Sequence, residues 1–222
     1  MRRLRPVPEF VSSGDYMADY RRHTDQRVKH DPHEAIGGFW EEVGQLQFDF
    51  LKAEGLQPEH RLLDVGCGTL RGGRHFINYL HGGNYTGTEM SEEAVKQAKE
   101  LIRREGLKRK HPHIVHVPDG NFRFEDLWPY DFILAPSVFT HLKEPLIEEC
   151  FLNIGKVMEP GARFYFTFLD PAEFTDTVKD FAYPFGFFAE LGRKYGLGVE
   201  DVSERYRHPR GQKMALACHA AP

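Results

Sequence analysis

The sequence predicts an α/β fold: a doubly wound parallel sheet preceded by an N-terminal helical extension. Three observations predict it. Short apolar runs alternate with amphipathic helical segments from about residue 56 onward, the rhythm of successive βαβ units. The first run, Arg61 to Val65, breaks at Gly66-Cys67-Gly68 directly before a helical segment. The last apolar run, Met214 to Cys218, follows the turn residues Arg210-Gly211 and supplies a strand where a dinucleotide-binding fold usually continues into helices. The chain accordingly divides into an extension or lid, residues 1–55, and a sheet domain, residues 56–222.

The extension opens with Arg2, Arg3 and Arg5, but Pro6 and Pro8 follow in place of an apolar core, so no signal peptide is expected. Asp15 to His30 is polar with scattered aromatics, and Phe39, Trp40, Val43, Leu46, Phe50 and Leu51 recur at helical spacing up to Gly55. Strands are predicted at Arg61 to Val65 and Asn84 to Thr88, with a helix between them over about Gly72 to Leu80. Ser91 is placed to cap the next helix, whose first turn holds Glu92 and Glu93 and whose buried face is Ala94, Val95, Ala98, Leu101 and Ile102. Gly106 stops it, its basic tail, Arg103 to Lys110, suits the helix's negative end, and Lys108-Arg109-Lys110 is read as a solvated helix end. Further strands are predicted at Ile114 to Val117, Phe132 to Ala135 and Arg163 to Phe168. Pro145 begins the helix before the last of these and Pro160-Gly161 ends it. Phe174 to Tyr195, rich in aromatics, is read as a cap over an acceptor pocket.

The 222 residues, 41% hydrophobic, suffice for one such domain with an ordinary core. A net charge of −4 without a long basic run lacks the footprint of phosphate-backbone binding, so a nucleic-acid partner is disfavoured. No apolar run reaches the roughly 20 residues that span a bilayer. Cys67, Cys150 and Cys218 carry no disulfide spacing, which fits a reducing, cytoplasmic setting. His111, His113 and His116 are not expected to hold a metal, because strand alternation sends His116 to the opposite face.

The glycine turn carries the chemistry. Gly66 and Gly68 can take positive φ and admit a ligand close to the main chain, beside the exposed amides of a helix start. Glu89 ends the second strand, where a carboxylate can accept hydrogen bonds from a ribose diol across the same crevice. A dinucleotide fingerprint wants a third glycine where Arg71 stands. Asp64, just before the turn, is misplaced beside a pyrophosphate but suits a cationic amino group and a sulfonium.

On these residues the chain resembles the class I S-adenosylmethionine-dependent methyltransferases, from about Leu56 to its end. The resemblance implies a Rossmann-like, seven-stranded sheet with a reversed last strand, and S-adenosylmethionine as cofactor with S-adenosylhomocysteine as product. Asp64, Gly66, Cys67 and Gly68 resemble the family's first motif, in which Leu70 replaces a frequent glycine, and Glu89 with Met90 resembles its ribose-binding strand end. Asp119 and Asn121 match the place of an acid near adenine. Ala135, ending the fourth strand, and Ser137, in the loop after it, match residues that line the methionine end, and Arg71 is a candidate for the cofactor carboxylate or an anionic acceptor.

His141, in the loop after that strand, is the candidate base, since an imidazole with pKa near ~6.5 can take a proton from an attacking oxygen or nitrogen. Trp40, Tyr183 and Phe185 are candidates for enclosing a small-molecule acceptor. The Asp/Asn-Pro-Pro-aromatic loop of adenine and glutamine methylation and the Pro-Cys pair of cytosine methylation are absent. Thr140-His141-Leu142 resembles a histidine motif of protein arginine methyltransferases, so a protein substrate stays open. So do an NAD-dependent oxidoreductase and a non-catalytic S-adenosylmethionine-binding protein.

Overall fold

The computed structural model describes residues 8–124 and 127–220; Arg2, Arg3, Arg5 and Pro6 lie outside them. The chain begins with α1 (Tyr16–His30), α2 (Pro32–Ala35) and α3 (Trp40–Ala53). It continues through β1 (Leu62–Val65), α4 (Gly73–Tyr79), β2 (Tyr85–Glu89), α5 (Glu92–Arg104), β3 (His113–His116), β4 (Tyr130–Ala135) and α6 (Glu144–Ile154). β5 (Met158–Phe168), β6 (Thr175–Asp176), β7 (Phe181–Ala182), α7 (Phe185–Lys194), β8 (Leu197–Asp201) and β9 (Lys213–His219) complete it.

Seven strands form one sheet in the order β3-β2-β1-β4-β5-β9-β8. β9 runs antiparallel to both neighbours, pairing Phe164 with Ala217 and Val199 with Ala217. The expected reversed strand is therefore inserted between β5 and the edge strand β8. All four β1 residues are buried, as a parallel strand covered on both faces requires. Alternation splits the core into two layers: Leu63, Val65, Ile133 and Phe164 pack with α6 and α7, while Leu62, Phe132, Leu134 and Tyr165 pack with α3, α4 and α5. Phe50 and Leu51 of α3 lie in that second layer, so the extension's third helix is part of the sheet's covering.

The extension is helical as expected, and two local expectations change. The polar stretch after Asp15 is a helix, α1, capped by the Asp15 carboxylate accepting from the Ala18 N–H. Pro160-Gly161 does not end α6; that helix stops at Ile154, and the pair lies inside β5 at a register shift with Gly161 at φ +83°. A proline without an N–H and a glycine free to take positive φ fit such an irregularity. Lys110 is not simply solvated, because its ammonium donates to the Leu80 carbonyl at 2.7 Å within a short turn, Leu107–Lys110.

Candidate active site

The carboxyl ends of β1, β2 and β4 open onto one cavity of about 440 Å³, within the range of small-molecule sites. Its position follows from topology: the sheet order reverses between β1 and β4, and the crevice lies there. The floor is the turn after β1. Gly66 and Gly68 sit at φ +69° and +56°, and a Cβ on them would stand 2.7 Å from Val138 Cγ2 and 3.0 Å from Ile36 Cγ2. Leu70, where the family often has glycine, adopts φ +70° while fully buried. The turn thus keeps a glycine-like backbone, held by the burial of the leucine side chain.

Glu89 is nine-tenths buried, its Oε2 accepting from the Gly68 N–H at 3.0 Å and its Oε1 from the Ser91 N–H at 2.8 Å. One acid thereby joins the glycine turn to the end of β2. Burial pushes its pKa up, against the pull of those N–H donors. Asp64 accepts from the Tyr85 hydroxyl at 2.7 Å through Oδ2, while its buried Oδ1 has no partner. Burial raises its pKa to about 7. An acceptor without a donor on a cavity wall is expensive, and a cationic ligand group would satisfy it. The neighbouring Cys67 thiol is held neutral by burial, so it is a packing group with no nucleophilic role here.

Arg71 lines the cavity and has a structural role besides the expected one. Its Nη1 donates to the carbonyls of Ile36 and Gly38 at 3.0 and 2.9 Å, tying the loop between α2 and α3 over the cavity. Thr69 donates to the Pro32 carbonyl at 3.1 Å. At the other end Asp25 of α1 accepts from the Ser91 hydroxyl at 2.6 Å and the Glu93 N–H at 3.2 Å. The extension is therefore the cavity's roof. Met17, Tyr20, Thr24 and Arg27 of α1 line it, and helical spacing of these residues was the signal that could have shown them.

Met90, Asn121 and Ser137 also line the cavity. Asp119 does not; it is exposed and accepts from the Asn121 amide. Ala135 is fully buried in β4, one pleat short of the cavity. Three aromatic candidates are absent from the wall. Trp40 stacks on His33 at 3.9 Å; Tyr183 stacks on Phe187 and donates to the Leu142 carbonyl; Phe185 packs against Phe168. The aromatic segment is core for α7, because its rings interlock with β5 and leave the wall to Tyr20, Phe39 and Phe122.

His141 reaches the cavity from the short helical turn Phe139–His141. Its Nδ1 is 3.0 Å from Asp180 Oδ1 and 3.2 Å from the Lys179 carbonyl oxygen. Both neighbours only accept, so Nδ1 carries the proton and Nε2 is the basic nitrogen. The Tyr20 ring lies 5.3 Å away, and the Tyr16 hydroxyl donates to the His141 carbonyl at 2.8 Å. The contact to His141 holds the Asp180 carboxyl well below the usual range. Sequence reasoning missed Asp180, since nothing in the chain links it to His141 before β7 folds back. Among the described residues no group of acids, histidines and cysteines is placed to hold a metal.

The same fold recurs among known proteins. A family model described as a methyltransferase domain matches residues 63–164. The methyltransferase phqN of Penicillium fellutanum is 28% identical over 109 residues, 49% of this chain and 32% of the relative. The 24-methylenesterol C-methyltransferase 2 of Oryza sativa subsp. japonica is 30% identical over 52% of this chain and 30% of its own. The chain thus spans about a third of the length of these relatives. Magnesium protoporphyrin IX methyltransferase from Synechocystis PCC 6803 with bound SAM superposes with a TM-score of 0.61 at 14% identity, covering 95% of this chain and 86% of that one. The glycopeptide N-methyltransferase MtfA complexed with S-adenosyl-L-methionine gives 0.64 at 10% identity, covering 81% and 94%.

Proposed function

We propose that the chain, whose residues 63–164 match a model described as a methyltransferase domain, transfers a methyl group from S-adenosylmethionine to an oxygen or nitrogen of a small-molecule acceptor. The observation that carries the cofactor assignment is the buried, unpartnered Asp64 Oδ1 beside the Gly66 to Gly68 turn and Glu89. These residues fit the cofactor: Asp64 would hold its ammonium, Glu89 its ribose hydroxyls, and the bare glycine backbone its body. Bound there, the cofactor supplies an electrophilic methyl on a sulfonium.

The protein's work is then alignment, exclusion of water and removal of a proton. The roof formed by α1 and the loop held by Arg71 excludes solvent. Tyr20 and Asp180 fix the His141 ring, and Nε2 accepts the proton that the acceptor loses. The titration of the hydroxyl or amine is thereby coupled to attack. A small acceptor is supported by a cavity of about 440 Å³ and by the similar folds of enzymes acting on a porphyrin and a glycopeptide. Among the described residues no helix is long and apolar enough to cross a membrane; three free cysteines support a cytoplasmic setting. Release of S-adenosylhomocysteine across a panel of phenols, carboxylic acids and amines tests the reading. Turnover with some acceptor is expected; binding of the cofactor with no turnover on any would favour a binding protein.

A further inference from the structure

One wall of the cavity carries more positive charge than the cofactor needs. A Cβ at Gly37 would stand 3.6 Å from Arg210 Nη1 and 3.8 Å from Arg71 Nη1, so two guanidiniums flank the same point at the cavity's edge. Neither pairs with a carboxylate among the described residues: Arg71 is held by carbonyls, and Arg210 stacks over the Phe39 ring at 5.3 Å. Like charges held this close repel unless anions answer them. Elsewhere on the wall Lys179 pairs with Asp180, and Arg27, like Arg71, donates to a carbonyl, that of Glu34.

His208 completes the group. Its Nδ1 accepts from the Arg210 N–H at 3.2 Å, so its neutral ring carries the remaining proton on Nε2 as a donor. Burial, reinforced by Arg71 and Arg210, pushes its pKa down to about 4, so it stays neutral at pH 7 and leaves the charge to the arginines.

The cofactor is zwitterionic at its amino-acid end, and one cation answers its carboxylate. Asp64 lies in the field of Arg71, which places Arg71 beside the ammonium and carboxylate of that end. Arg210 and His208 are then surplus to the cofactor. We propose that they seat an oxyanion of the methyl acceptor, a carboxylate or phosphate, at the end of the molecule away from the atom that is methylated. Guanidinium suits either group by paired N–H donors. The proposal rests on the methyltransferase reading and names its substrate class.

Calorimetry separates the two. S-adenosylhomocysteine is titrated first; failure to bind would contradict the cofactor reading itself. On protein saturated with it, benzoate, phenyl phosphate and benzamide are then titrated, so that the cofactor's own carboxylate already fills its place. Benzoate or phenyl phosphate should bind at least about tenfold more tightly than benzamide. Arg210→Gln, on an exposed loop, should remove that preference and leave S-adenosylhomocysteine affinity within about twofold, while Arg210→Lys retains part of it. No preference for the anions over benzamide, or an Arg210→Gln variant that loses S-adenosylhomocysteine instead, would overturn the proposal.

Discussion

Asp180 Oδ1 stands 3.0 Å from His141 Nδ1, and this contact decides which nitrogen of the imidazole can act. The acid comes from the loop before β7 and the histidine from the turn after β4. Their meeting gives the base a fixed tautomer and its conjugate acid a counter-charge.

His141→Ala should lower kcat by about 10²- to 10⁴-fold and leave S-adenosylmethionine affinity unchanged. Asp180→Asn should lower kcat by about 10²-fold with little change in KM, because the ring loses its charged orienting partner. Steady-state kinetics with calorimetry checks both; equal turnover in either variant would remove that residue from proton transfer.

Asp64 predicts a pH dependence whose sign is set by its raised pKa. Unfolded, its carboxyl titrates near 3.8; folded, near 7. The folded state holds the extra proton between those values, so this group's contribution to stability is full below about pH 4 and is lost progressively up to about pH 7, on the order of 4 kcal/mol in total. Asp64→Asn should abolish that fall. The check is the difference between wild-type and variant urea midpoints across pH 4 to 8, since His208 acts in the opposite direction in both proteins.

Gly66→Ala places a Cβ 2.7 Å from Val138 Cγ2 at φ +69°. Strain at positive φ together with that overlap should cost about 1 to 3 kcal/mol of stability and weaken cofactor binding. Thermal unfolding with and without S-adenosylhomocysteine reads both effects.

Asp25→Ala should loosen the roof. It removes acceptors of the Ser91 hydroxyl and the Glu93 N–H, a loss of about 1 to 3 kcal/mol locally. Hydrogen exchange over Tyr16–His30 should accelerate, and cofactor dissociation with it, while β1 and β4 keep their protection.

The sheet was legible in the sequence because its strands are short apolar runs separated by glycine turns and well-capped helices. Ser91 does cap α5, and Glu89 does meet Gly68. The roof was only faintly legible: Met17, Tyr20, Thr24 and Arg27 keep helical spacing, but α1 is mostly polar and these residues acquire meaning only once α1 lies on α5. Tyr183 and Phe185 misled for the opposite reason: aromatic content marks a core as readily as a pocket, and only the packing against Phe168 and Phe187 tells them apart. Arg71 was read as a ligand contact and is also a roof tie, since its carbonyl partners lie in a loop without sequence signal.

The most direct measurement is calorimetric titration of wild-type and Asp64→Asn protein with S-adenosylmethionine near pH 7, in buffers of different ionisation enthalpy. The wild type should show one saturable site with proton release as Asp64 ionises against the bound ammonium, and the variant an affinity lower by about tenfold or more with no proton release. No saturable binding by folded wild-type protein, or binding unaltered in the variant, would contradict that expectation.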